Sequence, residues 1–216
     1  MKNVLIIGLG KFGHQLCKQM VEYGNQVMAI DMKEEVLEDV KSIVTSTHIA
    51  DCTNEDVIKS IGVQNFDLCF VCIGSNFQNS LVITDLLHSN NAKCIISKAN
   101  RSVQAKFLKS VGASEVIYVD EEVAKRLTIK FTRDDIFEYR ELNDEYSMYE
   151  ISVYKDWIGK SIREINIRAK HNLNVIGIKK GESTHYSFSP DHIFTEDEHL
   201  LVIATKKDMD KFPILH

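Results

Sequence analysis

The chain has 216 residues, of which 44% are hydrophobic and 26% are charged, and its formal net charge at pH 7 is -5. At about 100–200 residues per domain, this length accommodates one large domain, or an ordinary domain followed by a small one. An acidic chain without a basic run is a poor partner for nucleic acid, whose phosphates are bound by clustered lysine and arginine. The apolar run Val4–Leu9 is far shorter than the about 20 residues that cross a bilayer, so we expect a cytoplasmic chain without direct membrane insertion.

Short apolar runs alternate with amphipathic segments from the amino terminus to about residue 135. The predicted strands are Val4–Ile7, Val27–Ile30, Ser46–Ala50, Leu68–Ile73, Cys94–Ser97 and Val116–Tyr118. The predicted helices between them are Phe12–Tyr23, Glu34–Lys41, Glu55–Ile61, Gln78–Leu87 and Val103–Val111. Strands that alternate with helices of this length indicate βαβ units, so we predict an α/β fold with a doubly wound parallel sheet.

A glycine-rich turn follows the first predicted strand. Gly8 allows a tight turn, Gly10 lets a pyrophosphate approach the backbone, and Gly13 lets the next helix pack closely on the strand. That helix offers phosphates its free N–H groups and the positive end of its dipole. Asp31 ends the second strand, where a carboxylate accepts hydrogen bonds from both ribose hydroxyls and repels a 2′-phosphate. These residues predict a nucleotide site, although Asp31 also fits a helix N-cap ahead of Glu34.

The five cysteines, an odd number, are typical of reduced thiols in a cytosolic fold. Cys69 and Cys72 have the CxxC spacing but lie in a predicted buried strand, where residues three apart point to opposite faces. We therefore predict that this pair packs in the core and forms neither a metal site nor a redox disulfide.

Catalytic residues do not stand out in this sequence. A dehydrogenase needs a substantial second domain, or an added acid/base group, to hold substrate against the nicotinamide, and only a short stretch follows the first domain. None of the 7 tyrosines begins a Tyr-x-x-x-Lys pair. His185, His192 and His199 recur at every seventh residue without the paired spacing of zinc ligands, so we predict surface residues. We predict no catalytic site and no metal site; the alternative is a small NAD(H)-dependent oxidoreductase or a redox-sensing protein.

The carboxyl-terminal third of the chain has a different pattern, which predicts a small α+β lobe. The predicted strands are Ser147–Tyr154, Val175–Lys179, Tyr186–Ser189 and Leu200–Thr205, with short helices at Ser161–Ile165 and Lys207–Lys211. Ser161 followed by Glu164 has the form of a capping box. Between the two patterns, Glu121–Phe131 is a predicted helix with apolar surface, which on pattern alone fits the last helix of the sheet.

Four segments of the first domain carry a resemblance to a known family. They are Asn3–Gly13, Ala29–Asp31, Ala50–Glu55 and Ile73–Asn79. The run Ser-Asn-Phe-Gln in the last segment is specific, because ordinary dehydrogenases do not carry it there. The chain resembles the cytosolic regulatory subunits of the Ktr/Trk potassium-uptake systems, which are built from RCK domains (regulator of conductance of K+). The resemblance places a Rossmann domain at 1–138 and a C-terminal effector and dimerisation domain at 144–216.

This resemblance implies a non-enzymatic subunit that gates a membrane K+ channel or transporter. It implies ATP or ADP as the ligand, with NAD(H) as the alternative, and a homo-oligomer of dimers arranged as a ring of eight. In the family, the helix at Glu121–Phe131 crosses over to pair two subunits. The implied nucleotide-binding residues are Gly8, Gly10, Lys11, Phe12, Gly13, Asp31, Asp51, Cys52, Thr53, Asn76, Phe77, Gln78, Lys98 and Asp120.

Several of these residues depart from the family pattern. Lys11 replaces an arginine that reaches nucleotide phosphates, so the charge is kept but the bidentate fork is lost. Cys52 replaces an alanine at the adenine and ribose edge. Asp120 is one methylene shorter than the glutamate that helps to hold a cation between paired nucleotides. Lys98 matches a basic position near the site, for which packing of the aliphatic stem is the alternative.

The resemblance also implies an effector site in the second lobe. In several Ktr-type members this lobe dimerises and binds cyclic di-AMP, and Arg168, Asn174 and Pro190 match positions used there, with Ile162 packing on a base. The alternative is that Arg168 is a solvated charge and Asn174 a turn residue.

Overall fold

The computed structural model describes residues Met1–Phe212. Residues Met1–Glu121 form the first of two units, and the second unit begins at Glu122. The predicted first domain, 1–138, extends beyond this unit because the prediction counted the crossover helix as part of the first domain. Among the described residues, no helix is both long enough and apolar enough to span a bilayer.

Six parallel strands form the sheet of the first unit, in the order β3-β2-β1-β4-β5-β6. The strands are β1 (Asn3–Ile7), β2 (Gln26–Asp31), β3 (Ser46–Ile49), β4 (Leu68–Val71), β5 (Ile95–Lys98) and β6 (Glu115–Ile117). The helices are α1 (Lys11–Glu22), α2 (Glu34–Lys41), α3 (Glu55–Ile61), α4 (Phe77–Ser89) and α5 (Ser102–Ser110). This strand order is the doubly wound arrangement that the sequence predicted, and the prediction is confirmed.

The first unit buries apolar side chains on both faces of its sheet. Val4 and Ile6 pack in one cluster, while Leu5 and Ile7 pack in the other, because successive residues of a strand point to opposite faces. Cys69 belongs to the second cluster and Cys72 to the first, as predicted. Burial raises the pKa of all four buried thiols to about 12, and these are Cys17, Cys52, Cys69 and Cys72.

The helix α6 (Val119–Thr132) spans the boundary between the two units and has no buried residue among its side chains. Val123 and Leu127 are exposed, and Phe131 is 77% exposed. Ile129 packs against the core of the second unit, and the sheet clusters of the first unit contain no α6 residue. The interpretation of this helix as simply the last helix of the first sheet is therefore wrong.

The second unit contains a five-stranded antiparallel sheet in the order β10-β9-β11-β8-β7. Its strands are β7 (Ile136–Glu141), β8 (Tyr146–Ser152), β9 (Asn174–Lys180), β10 (Ser183–His185) and β11 (Glu198–Thr205). Its short helices are α7 (Ile162–Ile165), α8 (Ile167–His171) and α9 (Lys206–Lys211). The predicted capping box is present, since Ser161 and Glu164 exchange hydrogen bonds at the start of α7.

Three elements of the second unit differ from the prediction. The strand β7 and the helix α8 were not predicted. The predicted strand Tyr186–Ser189 is wrong: the strand is β10, which ends at His185, and Tyr186 beyond it is 69% exposed. The exposed Tyr186 and the half-buried Phe188 are two residues apart, which imitates the apolar spacing of a buried strand.

Candidate functional site

A crevice of about 520 Å³ opens at the carboxyl ends of β1, β2 and β4. The strand order reverses between β1 and β4, and ligands of doubly wound sheets bind at such a reversal. Seven of the predicted site residues line it, namely Gly8, Gly10, Asp31, Asp51, Cys52, Thr53 and Asn76. Other residues that line the crevice were not predicted, including Leu9, Met32, Lys33, Val36, Ser75, Asn79 and Ile83. Ser75 and Asn79 lie inside the motif that carried the resemblance, so a signal for them was present.

The three glycines of the turn differ in what a side chain at each position would meet. Gly8 has φ of 93°, a backbone conformation that side chains rarely allow. A Cβ on Gly13 would lie 2.0 Å from the carbonyl oxygen of Gly8, so only glycine lets α1 pack this closely on β1. A Cβ on Gly10 would meet no atom within 4 Å. Gly10 is also the N-cap residue of α1 and has no side chain to satisfy the N–H groups of the first turn, which leaves them for a ligand.

Asp31 joins the ends of the first two strands. Its Oδ2 accepts a hydrogen bond from the backbone N–H of Leu9 at 2.7 Å, and its Oδ1 accepts one from that of Lys33 at 3.0 Å. Lys33 is the N-cap residue of α2, so the N-cap interpretation of Asp31 is wrong. Each carboxylate oxygen keeps a free acceptor position, and Asp31 lines the crevice, so it can still accept bonds from ribose hydroxyls.

The loop after β3 forms another wall of the crevice. Oδ1 of Asp51 accepts hydrogen bonds from the side chain of Thr53 at 2.7 Å and from its backbone N–H at 2.9 Å. These bonds lower the pKa of Asp51 and keep it ionised. Cys52 is 3% exposed, and burial together with the charges of Asp51 and Asp31 raises the pKa of its thiol to about 12. Cys52 therefore acts as a small apolar wall residue.

Asn76 begins α4 and caps it. Its Oδ1 accepts a hydrogen bond from the backbone N–H of Asn79 at 3.2 Å, which leaves its amide nitrogen available to a ligand. The neighbouring Phe77 does not line the crevice but packs near Phe107 of α5, with ring centres 6.4 Å apart. Gln78 is exposed and lies outside the crevice lining as well.

Four further predicted residues also lie outside the crevice lining: Lys11, Phe12, Lys98 and Asp120. Gly13 acts through the packing of α1 described above. Lys11 is exposed at the start of α1. Phe12, Lys98 and Asp120 lie together near the carboxyl ends of β5 and β6.

Lys98 is the last residue of β5, and its side chain is only 15% exposed. Its Nζ lies 3.7 Å from Oδ2 of Asp120 and 5.9 Å from the centre of the Phe12 ring. It also lies 3.6 Å from the place that a Cβ on Gly74 would occupy. The helix α6 begins at Val119, two residues earlier than predicted, so Asp120 lies in its first turn.

In the second unit, the structure brings two of the four predicted effector residues together. These two are Ile162 and Pro190. The carbonyl of Pro190 accepts a hydrogen bond at 2.9 Å from the backbone N–H of Arg163, the residue after Ile162. Ile162 is half-buried against the core. Arg168 on α8 and Asn174 at the start of β9 have exposed side chains.

Two histidines that were predicted as plain surface residues pair with buried carboxylates. His192 Nε2 lies 3.0 Å from Oε2 of Glu198, and His199 Nδ1 lies 2.8 Å from Oε1 of Glu150. The side chains of Glu198 and Glu150 are 7% and 8% exposed. Burial alone would raise the pKa of Glu150, but hydrogen bonds from His199 and Lys179 lower it below its ordinary value. In residues 1–212, no group of three or more histidine, cysteine or acidic side chains is arranged to hold a metal ion.

Comparison with known proteins gives the same division of the chain. The TrkA-N domain family matches residues 4–119, and the TrkA-C domain family matches residues 148–212. The chain is 32% identical to Ktr system potassium uptake protein C of Bacillus subtilis (strain 168), over 100% of this chain and 98% of that protein. It is also 32% identical to Ktr system potassium uptake protein A of the same organism, over 98% of this chain and 95% of that protein.

A solved structure shares the fold at lower identity. The structure described as the GsuK channel superposes with a TM-score of 0.70 at 16% sequence identity. The match covers 100% of this chain but only 40% of the GsuK chain, so the present chain spans less than half of that protein.

Proposed function

Because the chain belongs to the family of Ktr-type potassium uptake proteins with TrkA-N and TrkA-C domains, we propose that it is a nucleotide-responsive regulatory subunit. It binds ATP or ADP in the first unit and gates a membrane K+ channel or transporter. The observation that carries the proposal is the crevice in which the free first turn of α1 faces Asp31 across the ends of β1 and β2.

The crevice suits a nucleotide without a 2′-phosphate. Free N–H groups at the start of α1 bind the α- and β-phosphates, and Asp31 accepts hydrogen bonds from the ribose hydroxyls. The half-buried Val36 and the buried Cys52 and Ile83 give the adenine an apolar floor. NAD(H) fits the same first half-site, so it is the competing ligand.

A regulatory role agrees with the chemistry of the crevice. None of the residues that line it is a histidine, and the thiol that lines it, Cys52, has a pKa raised to about 12 by burial and by neighbouring carboxylates. Hydride transfer to a substrate needs a positioned acid or base beside the nicotinamide. We therefore favour binding without catalysis over the alternative of a small NAD(H)-dependent oxidoreductase.

Calorimetric titration with ATP, ADP and NADH tests the nucleotide site. Asp31→Ala should weaken binding of every ligand that uses the site, since each lost hydrogen bond to a charged group contributes about 1.5–3 kcal/mol, or about one to two decades of affinity. Asp39→Ala on α2 is the matched control, because Asp39 is exposed and does not line the crevice. Equal affinities for Asp31→Ala and Asp39→Ala would contradict this placement.

We also propose that the chain assembles into homodimers and, from these, into a ring of eight beneath its membrane partner in the cytoplasm. The exposed apolar residues Val123, Leu127 and Phe131 on α6 support subunit pairing. Light scattering should report a species larger than the 24.7 kDa chain at micromolar concentration, since an interface of the usual specific size persists there. Phe131→Glu should shift the distribution towards the monomer, and Phe107→Glu on α5 is the control for an exposed aromatic residue elsewhere.

The second unit is proposed to bind cyclic di-AMP across a two-fold axis between two copies. Arg168 is exposed, and within residues 1–212 it forms no ion pair, so its planar fork is free to bind a phosphate. Pro190 bonds the backbone of the residue after Ile162, so these two residues would offer the apolar floor, and Asn174 would offer an amide. Titration of the full chain should give one ligand per two chains.

Two arginines of the same region make the effector test selective. Arg168→Ala should weaken cyclic di-AMP binding by about tenfold or more, because a charge-assisted phosphate contact is lost. Arg163→Ala is the matched control, since Arg163 already pairs with Asp191 at 2.8 Å. Binding that survives Arg168→Ala undiminished, or no heat with the unaltered chain, would exclude this site.

A further inference from the structure

We propose that Arg133 transmits the effect of a ligand bound to the second unit to the nucleotide site of the first unit. The residue lies directly after α6 (Val119–Thr132), the helix that spans the boundary between the two units. It connects the end of that helix to α9 and, through α9, to the helix α8 that carries Arg168. This inference rests on the two ligand sites proposed above and adds a regulatory connection between them.

The guanidinium of Arg133 bonds two different elements of the second unit. Two of its nitrogens donate to the carboxylate of Asp135 at 3.0 and 2.6 Å, and the third donates to the backbone carbonyl oxygen of Met209 at 2.8 Å. The side chains of Arg133 and Asp135 are 15% and 1% exposed, so salt and water screen these bonds little. Because the guanidinium is planar and its donors have fixed directions, it holds both acceptors in one geometry. The end of α6 therefore cannot shift relative to Met209 without breaking a charge-assisted bond.

The bond to Met209 also ends the helix α9. The last carbonyl groups of a helix have no partner within it, and an arginine side chain is one of the groups that satisfy them. The backbone N–H of Phe212, the C-cap residue of α9, donates to the same carbonyl oxygen at 3.2 Å. The Met209 carbonyl is thus the point at which the end of α6 and the end of α9 are joined.

A hydrogen bond connects α9 to the helix that carries the proposed effector residue Arg168. Asn172 is the C-cap residue of α8, and its side-chain nitrogen donates to Oδ1 of Asp208 on α9 at 3.3 Å. The backbone N–H of Asn172 donates to the carbonyl oxygen of Arg168 at 3.1 Å. A displacement of Arg168 by a bound phosphate therefore displaces Asn172 and its contact with α9.

An aromatic cluster joins the same two helices a second time. The ring centre of His171, the last residue of α8, lies 5.5 Å from that of Phe212. The ring of Trp157 lies 5.4 Å from the first and 5.6 Å from the second, and Trp157 and Phe212 are both buried. Closely packed interiors transmit displacements because they leave no free volume for one ring to move alone. The end of α8 and the end of α9 are therefore expected to move together.

These contacts form one continuous connection from Arg168 through α8, α9 and Arg133 to the end of α6. Packed helices move between discrete arrangements, so a small shift at an effector site is carried on as a shift of whole elements. Cyclic di-AMP should then change the affinity for ATP by about fivefold or more, and ATP should change the affinity for cyclic di-AMP by the same factor, because coupling between two sites is reciprocal.

Calorimetric titrations of ATP into the full chain, with and without saturating cyclic di-AMP, measure this coupling factor. Lysine in Arg133→Lys keeps the positive charge beside Asp135 but lacks the planar fork that reaches Met209 as well. This variant should bring the coupling factor to within about twofold of one and leave the affinity for each ligand alone within about twofold. Arg126→Lys is the matched control, since Arg126 is exposed on the same helix, and it should keep the coupling factor.

A second pair of variants tests the contact between α8 and α9. Asn172 and Asn166 both have φ of 55°, which glycine adopts without strain, and both are exposed C-cap residues. Asn172→Gly removes the bond to Asp208 and should lower the coupling factor by about twofold or more. Asn166→Gly should leave it unchanged, because the Asn166 side chain makes no cap hydrogen bond.

Hydrogen–deuterium exchange of the unliganded chain tests the same connection without a ligand. Arg133→Lys should raise the exchange rate of the Asn172 amide by about fivefold or more, whereas Arg126→Lys should not. A coupling factor of one in the unaltered chain, or one that persists in Arg133→Lys, would overturn the inference. If Arg133→Lys does not fold, the two asparagine variants decide alone. A chain that binds neither ATP nor cyclic di-AMP contradicts the proposed function, and the exchange rates of Arg133→Lys then decide this inference separately.

Discussion

The charged groups at the sheet edge of the first unit and the buried glutamates of the second unit are paired in opposite ways. In the first unit, the carboxylate of Asp31 bonds only backbone N–H groups, and the ammonium of Lys98 has no close acceptor among the described residues. In the second unit, Glu150 accepts bonds from Lys179 and His199, and Glu198 accepts bonds from His192 and from Thr195 N–H. Polar groups left open indicate a surface prepared for a ligand, whereas groups that satisfy one another hold a sheet together.

The largest effect is expected from Gly13→Ala, which tests the close packing of α1 on β1 in the first unit. The added Cβ would lie 2.0 Å from the Gly8 carbonyl oxygen, so α1 must move away from β1. We expect a loss of about 3 kcal/mol in the free energy of unfolding of the first unit, at the upper end of overpacking effects, together with loss of nucleotide binding. Chemical denaturation followed by circular dichroism measures the first, and calorimetry the second.

Gly10→Ala is the comparison that separates stability from binding at the same turn. Its Cβ meets no atom within 4 Å and its φ is -64°, so the unfolding curve should stay within about 0.5 kcal/mol of the unaltered chain. ATP affinity should fall, because the methyl group occupies the space above the phosphate loop. Unchanged ATP affinity for Gly10→Ala would mean that phosphates do not approach this backbone.

A smaller effect is expected from Glu150→Gln, which breaks the internal pairing of the second unit. The substitution leaves Lys179 and His199 without their charged partner, and we expect a loss of about 2 kcal/mol, below the range for fully buried pairs because Lys179 is 31% exposed. Trp157 is the one tryptophan of the chain and is buried in the second unit, so its fluorescence reports the unfolding of that unit. Glu138→Gln is the control, because its pair with Lys130 is exposed and should contribute less than about 0.5 kcal/mol.

The smallest effect concerns how the contribution of Glu150 to the stability of the second unit depends on pH. The pKa of Glu150 is lowered in the folded state, so its contribution to stability is complete above the unfolded pKa of about 4.3 and is lost as pH falls through the folded value. Trp157-monitored unfolding between about pH 3 and 5 should show stability rising with pH, with a shallower slope in Glu150→Gln. Identical slopes for the two proteins would show that Glu150 does not contribute.

The sequence predicts the first unit better than the second for a physical reason. Buried parallel strands are continuous apolar runs, and each helix between them has an apolar face, so both periods are visible. In contrast, β7 is a sheet edge whose pairing with β8 is irregular between Ile136 and Glu138, which breaks the alternation of apolar and polar residues. The strand β10 has three residues, Ser183–His185, none of them apolar.

Polar contacts also differ in how far the sequence predicts them. The glycine turn and Asp31 lie within one βαβ unit, and their spacing places them in one crevice. The bond from Leu9 N–H to Asp31 could not be predicted, because any residue can supply a backbone donor. The pairing of Glu150 with His199 joins residues 49 positions apart, and only the antiparallel pairing of β8 with β11 brings them together.

The strand β11 begins with Glu198 and His199 as neighbours, and their side chains pair on opposite faces of the sheet. A slip of one residue between β11 and its neighbours would turn both side chains over at once. Glu198 would then face the carboxylate of Glu150 instead of His192, and His199 would lose its acceptor. Two adjacent polar residues thus reinforce the alignment of a central strand that its buried apolar side chains already specify.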